Sequence, residues 1–149
     1  MSEYILTQSI IEKSESNTWG PAKNEWELDS IFDSDEQETC ACGHFPIKEV
    51  CVLRNIQNQN SLNVGNCCVK KFMKNIDSDK IFRAKKKVME DITNAFNEAT
   101  IMFAHKKGWL NDWEKKFYLD TWRKRKPTEN QLKKRVIVNR KILTNLNTE

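Results

Sequence analysis

Apolar residues recur along this chain in two rhythms, and most of its predicted elements follow from them. Near the start, Tyr4 to Glu12 has the spacing of a short helix, and Asn17 to Pro21 is a loop by composition. Glu25 to Phe32 presents Trp26, Ile31 and Phe32 with helical spacing, and Asp33, Asp35, Glu36 and Glu38 then read as a solvated linker. From Ile47 to Arg54 the residues become β-branched and apolar, Asn55 to Asn60 supply turn chemistry, and Leu62-Asn63-Val64 follow. That pattern predicts a β-hairpin. From Cys68 to Met73 the spacing returns to that of a helix.

The remainder is helical by pattern. Ile81, Phe82, Val88, Met89, Ile92, Ala95 and Phe96 form one stripe, with Lys80, Arg83, Lys86 and Lys87 opposite. Asp77 or Asp79 is expected to cap this helix, which runs to about Phe96. Ile101, Met102 and Ala104 extend it after a break, and Gly108 stops it. Asn111-Asp112-Trp113-Glu114 reads as a capping box opening a helix with Trp113, Phe117, Tyr118 and Trp122. Pro127-Thr128-Glu129-Asn130-Gln131 reads as a second one. The last helix is expected to bury Leu132, Val136, Ile142, Leu143 and Leu146 against its predecessor, forming an antiparallel helical hairpin.

Charge divides the chain. Residues 1–65 carry 4 Lys+Arg against 11 Asp+Glu, whereas residues 66–149 carry 21 against 10. Behind the net +4 stand an acidic half and a basic one, which suggests a surface for a polyanion or two halves that attract each other. The acidic run at Asp33–Glu38 also admits a sharper reading, as a phosphate mimic or a cover for the basic half. The basic residues concentrate at Arg123, Lys124, Arg125 and Lys126, with Lys133 and Lys134 one turn into the next helix. Such residues beside an aromatic suit phosphate contacts with base stacking, although Trp122 itself reads as core rather than as a stacking platform.

The five cysteines narrow the chemistry. Cys40, Cys42, Cys51, Cys67 and Cys68 fall within 29 residues, an odd count that argues against a disulfide framework and for a metal. Met1-Ser2-Glu3 opens without the basic and apolar regions of a secretory signal, so the expected location is cytoplasmic. Gly43 after the second thiol and Gly65 before Cys67 permit tight turns. A thiol-bearing turn, a hairpin and a helix with thiols in its first turn make the layout of a treble-clef-like zinc site. Zinc takes four S or N ligands, and the expected set is Cys40, Cys42, His44 and Cys68, with Cys67 the substitute if His44 is not a ligand. Cys51, in mid-strand, reads as a buried small hydrophobe, and Glu49 as a surface strand residue. A closed site of this kind is structural: the Zn2+ would supply folding energy.

Cys40, Cys42, Gly43, His44, Pro46 and Ile47, then Arg54-Asn55, then Val64, Gly65, Asn66, Cys68, Val69 and Phe72 together resemble a motif of small, mostly uncharacterised bacterial and phage proteins. The pattern, C-x-C-G-H-x-P-I followed by V-G-N-x-C-V-x-x-F, covers about a fifth of the chain. The resemblance implies Cys40, Cys42 and Cys68 as metal-binding positions, with His44 next, and implies no activity.

The expected fold class is therefore α+β and mostly helical: a small zinc-held β-hairpin followed by a C-terminal helical bundle or hairpin. Its expected segments are an acidic one at 1–38 with short helices, the zinc-finger-like hairpin and helix at 39–75, and a basic helical region at 76–149. No nucleophile–base pairing, glycine-rich phosphate loop or membrane-spanning run stands out, so no enzymatic activity, no small-molecule substrate and no membrane association is expected. The leading expectation is a zinc-stabilised module that binds DNA or RNA through its basic half. The alternative is a phage- or mobile-element-encoded interaction module that inhibits or regulates a bacterial nucleoprotein complex for nucleic-acid processing or defence, as an anti-CRISPR protein does.

Overall fold

Residues Trp26–Glu38 form a β-strand in the computed structural model, which describes residues 2–72 and 78–146. The helix expected over 25–32 and the linker expected at Asp33–Glu38 are both corrected by this strand. Its partner register explains the misreading. Trp26 pairs with Asn55, Leu28 with Leu53 and Ile31 with Cys51, and a register shift between Leu28 and Ser30 leaves Asp29 extra. A bulge of this kind breaks the period of two, so the buried residues stand at 26, 28, 31 and 32 and imitate helical spacing. Met73 and the Asp77 cap lie outside the described residues, as do the side chains of Asp35, Glu36 and Phe72.

The elements run α1 (Ser2–Glu12), α2 (Trp19–Lys23), β1 (Trp26–Glu38), β2 (Ile47–Asn55), β3 (Ser61–Gly65), α3 (Asn66–Phe72), α4 (Ser78–Glu90), α5 (Glu98–Lys106), α6 (Asp112–Thr121) and α7 (Glu129–Leu146). The class is α+β, with one antiparallel sheet in the order β1-β2-β3. The chain divides into two compact units, Met1–Ser78 and Asp79–Thr148. The stretch read as a separate acidic segment at 1–38 thus shares a unit with the hairpin. Among the described residues, no helix is long and apolar enough to cross a membrane.

In the first unit the expected hairpin is present as β2 and β3, with Cys51 opposite Val64 and Leu53 opposite Leu62. Ile31, Cys51, Leu53 and Val64 are fully buried along one face. One polar node secures the chain ahead of β1. Glu25 is only 2% exposed, and its carboxylate accepts the Glu15 and Ser16 backbone N–H groups at 2.8 and 2.9 Å and the Asn55 amide at 2.9 Å. The Asn55 bond leads in holding this carboxyl down to about 2, with the two backbone donors adding to it. A buried carboxylate is stable only when its lone pairs are used, and these donors come from the loop after α1 and the end of β2.

In the second unit, α4 stops at Glu90 rather than near Phe96. Asp91 Oδ1 accepts the Thr93 N–H and hydroxyl, and Asn97 caps α5 by accepting from Thr100. Short polar side chains compete with the helix for its own backbone groups, and two such residues around a turn end it. Met89, expected on the buried stripe, is exposed, as is Met102 in α5. Gly108 follows α5 at φ +82°, its N–H donating to the His105 carbonyl. Both capping boxes form: Asn111 and Glu114 exchange bonds at 2.7 and 3.0 Å, and Thr128 and Gln131 at 3.1 and 3.0 Å.

The buried line of α7 is rotated from the expected one. It consists of Arg135, Val138, Asn139, Ile142 and Leu146, while Leu132, Val136 and Leu143 are half-buried. Two polar residues sit on that line because each is hydrogen-bonded to backbone carbonyls. Arg135 donates to the Thr93 and Thr121 carbonyls, and Asn139 donates to the Ile92 and Asn94 carbonyls while accepting the Tyr118 hydroxyl. Periodicity that counts only apolar residues misses such a line.

Candidate metal centre and basic surface

Three of the four expected ligands converge. Cys40, Cys42 and Cys68 are buried, and their sulfurs all lie within 4.8 Å of one another. Cys40 and Cys42 belong to a tight turn ahead of β2. There the Cys40 N–H donates to the His44 carbonyl at 2.9 Å, and the Gly43 N–H to the Cys40 carbonyl at 2.8 Å. Gly43 has φ +92°, a conformation that costs any residue with a Cβ. The Ala41 N–H donates to the Asn63 carbonyl at 2.9 Å, tying this turn to β3. Cys68 enters from the first turn of α3, which follows β3 directly. Gly65 sits at the crossing: an added Cβ would stand 3.3 Å from a methyl of Ile47 and 3.9 Å from the Cys40 sulfur.

Backbone donors surround the sulfurs. The Cys42 and Gly65 N–H groups point at Cys40 Sγ at 3.4 and 3.2 Å, and the His44 N–H points at Cys42 Sγ at 3.4 Å. Cys68 Sγ lies 3.4 Å from Cys42 Sγ. Burial pushes Cys68 up to about 12, reinforced by its two sulfur neighbours, and burial likewise raises Cys40. At Cys42 burial also opposes charge, but the His44 N–H and the flanking thiols outweigh it and hold the thiol below its ordinary range. Three sulfurs this close do not ionise together unless a cation is present, while N–H donors aimed at sulfur favour thiolate. Such a group can hold a metal ion.

The remaining candidates stand apart from the cluster. His44 is exposed, and its ring is not among the grouped ligand atoms. Cys67 is exposed although adjacent to Cys68. Cys51 is fully buried in β2, and burial pushes its thiol up to about 12, so it stays protonated within the sheet. Glu49 accepts a 3.1 Å bond from the Asn66 amide.

Comparison with protein-family models, with curated proteins and with solved structures finds no match. Everything functional therefore rests on the geometry of this chain.

In the second unit, Arg123, Lys124, Arg125, Lys126, Lys133 and Lys134 are all exposed between the end of α6 and the second turn of α7. Lys133 also lies 3.7 Å from Glu129. Trp122 is half-buried, with the Arg123 guanidinium 4.9 Å from its ring centroid. One aromatic feature escaped the sequence reading. Trp113, expected simply as part of the apolar pattern of α6, is 57% exposed and stacks on Phe117 at 5.4 Å with 7° between the planes. Lys134 Nζ lies 5.4 Å from the Trp113 centroid. The signal was available in the helix period: Glu114, Tyr118 and Thr121 form the buried line of α6, and Trp113 and Phe117 each stand one residue off it.

Proposed function

We propose that this chain is a zinc-stabilised nucleic-acid-binding protein: the first unit holds the metal for stability, and the second binds the phosphate backbone. Zinc fits a buried group of three thiols better than hard cations do, because thiolate is a soft ligand and zinc accepts tetrahedral sulfur and imidazole donors. Cys40, Cys42 and Cys68 are the three sulfur ligands in this reading, and the fourth donor has to swing in from outside the cluster, His44 first and Cys67 as its substitute. A site closed by four protein ligands is structural.

The observation that carries nucleic-acid binding is the exposure of six cations around one helical corner beside aromatic rings. Cations that neutralise phosphates release condensed counterions, so affinity falls as salt rises. With up to six contacts, the logarithm of affinity for a single strand should fall against the logarithm of salt with a slope no steeper than about −4. The test is fluorescence anisotropy on labelled DNA and RNA across a salt series. Charge reversal at Arg123, Lys124, Arg125 and Lys126 together should abolish binding at moderate salt; unchanged binding would remove the proposal.

A further inference from the structure

From the aromatic stack beside the basic corner we infer that the nucleic acid bound is single-stranded, with Trp113 as the platform on which an unpaired base stacks. The inference rests on the nucleic-acid reading above and specifies its substrate. Trp113 is 57% exposed, so its indole face is open to a ligand. Single exposed apolar residues are common, and it is the parallel Phe117 ring and the Lys134 ammonium beside it that set this one apart. Phe117 lies parallel to Trp113 with 7° between the planes, so the two rings already form the beginning of a stack. A base added to the outer face of the indole would continue it.

Charge around the platform suits a nucleotide. Lys134 Nζ, 5.4 Å from the indole centroid, is placed to exchange its ring contact for the phosphate of a stacked nucleotide. Of the carboxylates flanking Trp113 in α6, Glu114 is paired with Lys141 at 2.7 Å, and Asp112 shares a 2.8 Å hydrogen bond with the His105 ring. Trp113 and Trp122 are nine residues apart, about 13 Å along the helix. At about 100° per residue the two rings stand on opposite sides of α6, so the cation that serves the Trp113 platform is Lys134 rather than the turn at Trp122. In a duplex both faces of each internal base are covered by neighbouring pairs, so the platform has nothing to stack on except a duplex end. Single strands offer a free face at every base, whatever the sequence.

Anisotropy of the full chain with oligothymidylate, oligouridylate and a duplex of about 16 nucleotides tests this across a salt series. Tighter binding of the single strands, by roughly tenfold, is expected. Trp113→Ala should weaken single-strand binding about tenfold and leave duplex affinity and the salt slope unchanged, because stacking involves no counterion release. Trp113→Phe should retain affinity within about threefold, which a merely structural role for the ring's bulk would not separate from the alanine result unless unfolding midpoints also differ; those should coincide for all three proteins. Equal or tighter duplex binding, or a Trp113→Ala loss below about twofold, overturns the inference. If the four-residue charge reversal abolishes binding while Trp113→Ala leaves it intact, the basic surface stands and the platform falls. If neither form of nucleic acid binds, both fall together.

Discussion

Replacing Asn139 with leucine isolates what holds the second unit together. Asn139 is fully buried on α7, and its amide donates to the Ile92 and Asn94 carbonyls at 2.7 and 2.8 Å. Its Oδ1 accepts the Tyr118 hydroxyl at 2.6 Å, and that hydroxyl accepts the Phe96 N–H at 2.8 Å. One side chain therefore ties the turn between α4 and α5 to both α6 and α7. Leucine has a similar volume and makes none of these bonds. Each bond contributes about 1 kcal/mol net, and the buried Tyr118 hydroxyl left without an acceptor costs a further 1–3 kcal/mol or so. Against this, leucine buries about 2 kcal/mol more apolar surface, so the expected net loss is about 3 kcal/mol. Urea unfolding followed by far-ultraviolet circular dichroism measures it. Tyr118→Phe removes the hydroxyl from the other side, and the double variant should cost less than the two singles together, by about 1–2 kcal/mol. A loss under about 1 kcal/mol for Asn139→Leu, or strict additivity, would refute the claim that this network is a joint structural unit.

Three further expectations follow from the first unit. Glu25 titrates at about 2 when folded against an ordinary 4.5, so its stabilisation is complete above 4.5 and is lost as pH falls toward 2; Glu25→Gln should flatten that part of an acid-unfolding curve, and an unchanged curve would contradict the node. Gly43→Ala, at φ +92°, should cost about 1–2 kcal/mol in urea unfolding, whereas Gly65→Ala asks only that an Ile47 methyl yield slightly and should cost less. In the native protein iodoacetamide should label exposed Cys67 first, Cys40, Cys42 and Cys68 only after chelator, and Cys51 only on unfolding, as read by peptide mass spectrometry.

Much of this fold is legible where one local rule dominates. The β2–β3 hairpin follows from β-branched residues flanking an Asn-rich turn, and α6 and α7 announce themselves by caps that form as written. The gathering of Cys40, Cys42 and Cys68 is legible because their spacing encodes the turn and the helix that carry them. What escapes is long-range. The bulge at Asp29 is visible only once β2 supplies a register, and the buried places of Arg135 and Asn139 depend on carbonyls some 40 positions away in sequence. The exposure of Trp113 is likewise set by which side of α6 meets α7, and Tyr118 and Asn139 decide that together.

Zinc content tests the account most directly. Inductively coupled plasma and native mass spectrometry of protein purified without added metal should find about one zinc per chain. Cys51→Ser and Cys67→Ser should keep it, and Cys68→Ser should lose most of it. Less than about half an equivalent of zinc, or a full equivalent remaining in Cys68→Ser, would contradict the metal centre.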